Sequence, residues 1–313
     1  MKNKSIQAFL IAMSLTQALN AETTARFFRT SPTGRYVFQF ANPIERLGSK
    51  LSYTRNAPQY GIELETEIYR FIIGGRYQRT PTGTNKQDFR DEDFFMSSFY
   101  SGRADPQIDY GKGIFRDQID MYYGVRNWAD GYGSASFKEY QGRLWLLFAL
   151  TNNWAIGVQS SYAHNFYNVK DTTTFFYGLS GAEYTLNGLT FESDFIEWQA
   201  GFRYNTDSKP IRFQADFFLG EGIIRTRDLH IVRSLMLKSV SDGPSLFGRL
   251  GLSWHDENVE IGAGLYARRL FTRGNNNEQT SPPGLTIDIG VLAPVDVSYK
   301  ENGMELSVGW RIP

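Results

Sequence analysis

The chain reads as an all-β protein, a transmembrane antiparallel β-barrel, and three observations predict it. Aromatic residues make up 15% of its 313 positions, with 18 Tyr, 24 Phe and 30 Gly. Several segments alternate strictly between apolar and polar residues. The connections between them alternate between tight turns and long loops, the asymmetry of a barrel with short periplasmic turns and long extracellular loops.

Alternation is the first test, because successive side chains of a strand point to opposite faces. In YGIELETEI, Ile62, Leu64 and Ile68 oppose Glu63, Glu65 and Glu67. In VEIGAGLYAR, Val259, Ile261, Ala263 and Leu265 oppose Glu260, Gly262, Gly264 and Tyr266, and at the C-terminus Met304, Leu306, Val308, Trp310 and Ile312 oppose Glu305, Ser307, Gly309 and Arg311. One face of such strands is costly in water, and a charge on the other costs about 2–4 kcal/mol at mid-bilayer. A closed barrel satisfies both faces and leaves no unpaired strand edge in hydrocarbon.

Ten strands are predicted, near 33–41, 47–67, 70–84, 134–150, 154–170, 188–204, 211–228, 245–255, 258–272 and 301–312. Tight turns fall at Tyr69 and Arg70, at TNN (151–153), at TDSK (206–209) and at DEN (256–258). Long loops are expected at about 91–133, 171–186, 229–244 and 273–300. Two further alternating stretches, FRDQIDMYYGV and LTIDIGVLAPVDVSY, are assigned to extracellular loop hairpins and would raise the count to twelve if they entered the ring.

The first 21 residues, with Lys2 and Lys4 before an apolar run from Ile6 to Leu15 and small residues ending at Ala21, have the anatomy of a secretory signal peptide. Residues 22–313 then form a single barrel domain, expected in the cell outer membrane and as a monomer. No later apolar run approaches the roughly 20 residues of a membrane helix. The absence of cysteine excludes disulfides, thiol catalysis and cysteine-based metal sites. Balanced charge gives no reason to expect a nucleic-acid partner, and no metal cluster or phosphate loop implies a cofactor.

Two spaced pairs carry the candidate chemistry. NKQDFRDEDFF places Asp91 and Asp93 two apart, and RTRDLHIV places Asp228 and His230 two apart. The strands that lead to both pairs follow tight turns, so both rise toward the cell exterior and bring the pairs to the same side of the membrane. On strand 211–228, Arg212, Gln214, Asp216, Thr226, Asp228 and His230 share the luminal parity. The parity of Asp91 stays open, because TPTGTN interrupts its strand. An Asp beside a His fixes the ring tautomer and favours the imidazolium, making the His a usable general base. Two close carboxylates share a proton and can hold a water.

At these residues the chain resembles the omptins, outer-membrane endopeptidases with a ten-stranded barrel. LSYTRNAPQYGIELETEIY, FIIGGRYQRTPTG and DEDFFMSS are similar to that family's second and third strands leading into its D-x-D motif. TFESDFIEWQAGFRY and PIRFQADFFLGEGIIRTRDLH are similar to its sixth and seventh strands ending in D-x-H. The resemblance implies that Asp91 and Asp93 form a carboxylate couple, that Asp228 and His230 form a water-activating dyad, and that the substrates are polypeptides at the cell surface. The chain also departs from the family. Thr226, and Gly34 or Arg35, stand where dibasic-specific omptins carry acids, and Phe166 and Asp194 stand near the lipopolysaccharide-binding arginines. The resemblance therefore implies neither a dibasic preference nor dependence on lipopolysaccharide, and the surrounding outer-membrane lipids are the only lipid partners expected.

Two other readings compete with the protease. A non-catalytic small barrel could serve as an adhesin, receptor or structural protein, with the aromatic loop 91–133 as its contact surface. A lipid acyl hydrolase could use Ser253 and His255, which share a parity. His255 is otherwise expected to be an exposed turn residue and His164 an outward, interfacial one.

Overall fold

The computed structural model describes residues 22–42, 47–81, 85–95, 129–176, 189–206, 210–230, 235–256, 258–280 and 294–312. The signal peptide, the FRDQIDMYYGV stretch, residues 96–128 of the aromatic loop and residues 285–293 lie outside them.

Twelve strands form one antiparallel sheet: β1 (Glu22–Asn42), β2 (Leu47–Thr54), β3 (Gln59–Ile68), β4 (Phe71–Arg79), β5 (Asn85–Phe95), β6 (Ala129–Ala149), β7 (Trp154–Phe176), β8 (Leu189–Asn205), β9 (Ile211–His230), β10 (Leu235–Asp256), β11 (Val259–Thr280) and β12 (Pro294–Ile312). β2 and β3 both pair with β1, and β4 and β5 both pair with β6, so each pair makes one wall and the ring has ten. β12 returns to β1 in register from Thr23↔Ile312 to Phe40↔Val295 and closes the ring.

The expected alternation decides which face meets lipid. Leu144, Met304, Leu306 and Phe27 are about two-thirds exposed at 68, 62, 60 and 59%, while their chain neighbours Glu305, Ser307, Arg26 and Phe28 are buried. Tyr60, Tyr77, Tyr140, Tyr162 and Trp198 border this apolar belt on one side, and Phe71, Phe148, Trp154 and Trp254 border it near the tight turns, the two aromatic girdles of a membrane barrel. Tyr69, at a φ of 57°, turns the chain from β3 to β4.

Inside, the lumen is filled in layers. Near the periplasmic end Arg26 bridges Glu63 (2.7 Å) and Glu260 (3.0 Å), while Arg76 and Arg249 each join Glu63 (3.4 Å) to Glu305 (2.6 Å). Arg203 joins Asp216 (2.7 Å) to Glu65 (2.5 Å), and Glu65 also accepts from the Trp145 indole at 2.9 Å. Gly74 makes room for that indole, since a Cβ there would lie 2.1 Å from it. Above these come Gln78 and Gln141 (2.8 Å), then the pairs Arg268–Glu197, Arg55–Glu139 and Arg55–Glu301. Each charge would be expensive in so dry an interior without its partner, and together they cross-link walls that hydrogen-bonded pairing alone does not join.

Several strand boundaries differ from the sequence expectation. β1 begins at Glu22 rather than near 33, since Pro32 and Gly34 look like breakers and Arg26 and Phe28 share the luminal face, which hides the alternation. β9 runs on to His230 and β10 begins at Leu235, so strand takes up most of the stretch expected as a loop at 229–244. Pro294–Tyr299, expected in a loop hairpin, belong to β12. The physical reason is common to all three. Beyond the bilayer water reaches both faces, so hydropathy contrast fades while the backbone still gains by pairing. Strands of 17 and 23 residues are about twice the roughly 9–11 a tilted membrane strand needs.

Candidate active site

The upper lumen is closed by an aromatic layer. Tyr36 and Phe38 from β1, Leu51 and Tyr53 from β2, Phe89 from β5, Phe137 from β6, Tyr167 from β7, Phe191 and Phe195 from β8 and Tyr299 from β12 are all buried together. Tyr53 is its hub, with ring centroids 5.1 Å from Phe89, 4.3 Å from Tyr167 and 5.3 Å from Phe191. Arg55, fully buried at the break between β2 and β3, lies 5.1 Å from the Tyr299 ring and fastens the underside of the layer to β6 and β12 through Glu139 and Glu301.

β5 delivers the first acid pair to this floor. Pairing with β6 passes from Arg79↔Tyr140 to Asn85↔Phe137, so the register shifts between β4 and β5. That shift settles the parity the sequence left open: Gln87 and Phe89 turn inward, and Asp91 and Asp93 follow at the same parity. Asp91 is half-buried and accepts a hydrogen bond from Ser49 Oγ at 3.1 Å. β9 delivers the second pair: Ile224, Thr226 and Asp228 are buried on the luminal face as expected, with Asp228 at 0% exposure beside its register partner Phe191. His230 occupies the next luminal position of the strand. The side chains of Asp93 and His230 lie outside the described set.

Counted around the ring, β5 is in the third wall and β9 is the seventh, with β6, β7 and β8 between them. The floor spans the gap: Phe89, two residues before Asp91, touches Tyr53, and Tyr53 touches Phe191, which pairs with Asp228. Burial raises the Tyr53 hydroxyl well above its ordinary value of 10, and the carboxylates of Asp228 and Asp91 raise it further. Tyr53 thus sits in the field of both acid-bearing walls. Neither Tyr53 nor Ser49 was a candidate from sequence. Their shared parity with Leu51 was visible, but not that β2 would stand beside Asp91.

The same burial raises Tyr36, with smaller contributions from Tyr167 and Asp228. Both hydroxyls lie above the belt that ends at Tyr60. A group whose proton is held more tightly in the folded state gives stability that is complete below its unfolded pKa and is lost as pH climbs toward the folded one. The barrel should therefore weaken above about pH 10. Tyr36→Phe/Tyr53→Phe, which keeps the rings, should flatten that loss in melts compared at about pH 9 and about pH 11.

The other histidines separate cleanly. His164 faces outward as expected, its Nδ1 2.9 Å from Asp194 and its ring stacked 4.9 Å from Tyr140. His255 is not an exposed turn residue: only 8% of its side chain is exposed, and it turns into the lumen toward Glu260. Its Nε2 lies 2.8 Å from Ser253 Oγ, but Arg311 Nη2 donates toward Nδ1 at 3.3 Å. That leaves the proton on Nε2, pointing at the serine, which is the wrong tautomer for a base that must accept the serine proton. Glu260, 3.9 Å away, is already held by Arg26. The acyl-hydrolase reading fails on this polarity.

An apolar belt, two aromatic girdles, a sealed ring and a filled polar lumen define an outer-membrane β-barrel. The chain belongs to the Porin_6 family, described as "Putative porin", which it matches over residues 40–288. No curated protein is matched. Among solved structures it is similar to the outer membrane protease OmpT from Escherichia coli, at 9% identity and a TM-score of 0.66 over 93% of this chain and 97% of that one. Weaker likenesses, with TM-scores of 0.37 and 0.31, are to the translocator domain of the autotransporter NalP from Neisseria meningitidis (8% identity, 99% and 97% covered) and to OprG from Pseudomonas aeruginosa (13%, 92% and 95%). At such identities the likeness to OmpT shows the shared fold.

Proposed function

We propose that this barrel is a surface-facing endopeptidase of omptin type. His230, oriented by Asp228, takes a proton from a water held by Asp91 and Asp93, and that water attacks the carbonyl carbon of a peptide bond. The observation that carries the reading is the packing of Tyr53, whose ring lies 5.1 Å from that of Phe89, two residues before Asp91, and 5.3 Å from that of Phe191, the register partner of Asp228. Full burial of Asp228 suits a residue that holds a histidine rather than one that meets substrate. A dibasic preference forms no part of the proposal: Thr226 is buried against Ser239 at 2.5 Å, and Arg35 points away from the lumen.

The family description suggests a diffusion channel instead. Against it stand the ion-paired layers and the aromatic floor, which occupy the lumen from one end of the belt to the other. The test is cleavage of a peptide library by intact cells expressing the wild type, Asp93→Asn or His230→Ala. Only the wild type should cut, and its products would give the sequence preference. Equal cleavage by all three would overturn the proposal and leave an adhesin or receptor on the same scaffold.

A further inference from the structure

We infer that the outer face of β1, β12 and β11 binds the phosphate of a lipid headgroup in the leaflet around the barrel's outer end. The starting point is a row of cations. Strand register sets Arg35 directly across from Lys300, and Lys300 directly across from Arg269. Such cross-strand neighbours have Cβ atoms about 4.5–5.5 Å apart, and like charges there repel.

Elsewhere on the outer face bases meet acids. Arg273 is 2.8 Å from Asp296, and Arg227 is 4.0 Å from Glu192. Among the described residues, none of the three cations in this row has a carboxylate within ion-pair distance. Two of them are nonetheless held in place. Arg269 donates to the carbonyls of Glu301 (2.7 Å) and Arg268 (2.9 Å) and to Asn302 Oδ1 (2.8 Å), and Lys300 Nζ lies 5.4 Å from the centre of the Phe271 ring. Positive charge that is fixed, repulsive and without an internal counterion is the arrangement that an external anion would relieve.

Through Arg35 and Lys300 the row borders a cleft of about 670 Å³, in which the four cations Arg35, Lys50, Arg273 and Lys300 outnumber the two acids Asp242 and Asp296 and stand beside Pro244 and Phe271. The two luminal pockets are only about 20 and 30 Å³, the size of one or two waters. Its position selects the occupant. Leu265 and Met304, opposite each other and 56% and 62% exposed, lie four residues toward the bilayer from Arg269 and Lys300. At about 3.3 Å per residue along a tilted strand, the cations stand roughly 10 Å above bare lipid-facing carbons, the depth of a headgroup. Apolar Phe271 and Pro244 beside the charges fit an amphiphile better than a free ion. The wall formed by β7 and β8 has the opposite character, with Asp194 facing outward toward Tyr162 and His164.

Native mass spectrometry of the whole barrel, released from neutral detergent micelles doped with phosphatidic acid, tests this. The wild type and Arg79→Gln, which alters an exposed cation on β4, should retain one phosphatidic acid. Arg35→Gln/Lys300→Gln should bind it about 30-fold more weakly, at about 5-fold per cation near an anionic surface. Diacylglycerol should not be retained, and excess inorganic phosphate should not displace the lipid. Equal retention by the double variant and the wild type would overturn the inference, as would equal retention of diacylglycerol. Displacement by inorganic phosphate would assign the row to a free anion and overturn the lipid reading.

Discussion

Asp228→Asn is expected to abolish surface proteolysis while leaving the barrel folded. The carboxylate is completely buried beside Phe191 and Leu237, where the isosteric amide fills the same space. It changes the chemistry, however, because an amide can present N–H where the carboxylate only accepts, and a histidine held by the wrong partner adopts the wrong tautomer. General acid–base assistance of this kind contributes about 100- to 10,000-fold, so cleavage of a fluorogenic peptide should fall by that factor. Retained resistance to unfolding in detergent separates the result from a folding defect. An Asp228→Asn barrel that is folded and cuts at the wild-type rate would remove the dyad from the mechanism.

The second large effect concerns conductance. Reconstituted in a planar bilayer, the wild-type barrel should show no steady open channel, although its family is described as one of porins. Small barrels leave little room inside, and here seven arginines cross the lumen, Arg26, Arg55, Arg203 and Arg268 buried and Arg76, Arg143 and Arg249 half-buried. Six of them are ion-paired to acids from other walls, and Arg143 lies 3.6 Å from the centre of the Phe247 ring. Above them the aromatic floor closes the outer end. Opening a path would require breaking several buried pairs, and removal of one partner of such a pair costs about 3–5 kcal/mol. Long-lived stepwise currents from pure wild-type protein would mean that the lumen is not packed as described.

Most of the barrel was legible along the chain because a membrane strand must answer to two solvents at once. Ile62/Glu63, Val259/Glu260 and Met304/Glu305 differ so sharply that parity alone assigns lipid and lumen, and the structure keeps every one of those assignments. Asp228 was placed by the same logic. Where only water lies outside, the rule weakens, which is why the outer halves of β10, β11 and β12 were read as loops. A register shift is quieter still. Nothing in the sequence between Arg79 and Asn85 says how far the pairing with β6 will shift, and that shift decides whether Asp91 faces the lumen.

By itself, then, the sequence determined the class of fold, its ten walls, its outward face and the two motifs that reach the outer end. These rest on periodicity and on turn chemistry, both local. Only the tertiary structure decided that Tyr53 packs on both Phe89 and Phe191 and so links the walls of Asp91 and Asp228, that His255 turns its proton toward Ser253, and that Arg35, Lys300 and Arg269 share one row. Each is a meeting of residues that closure of the ring brings together from distant parts of the chain. No spacing along the chain records which atoms face one another across it.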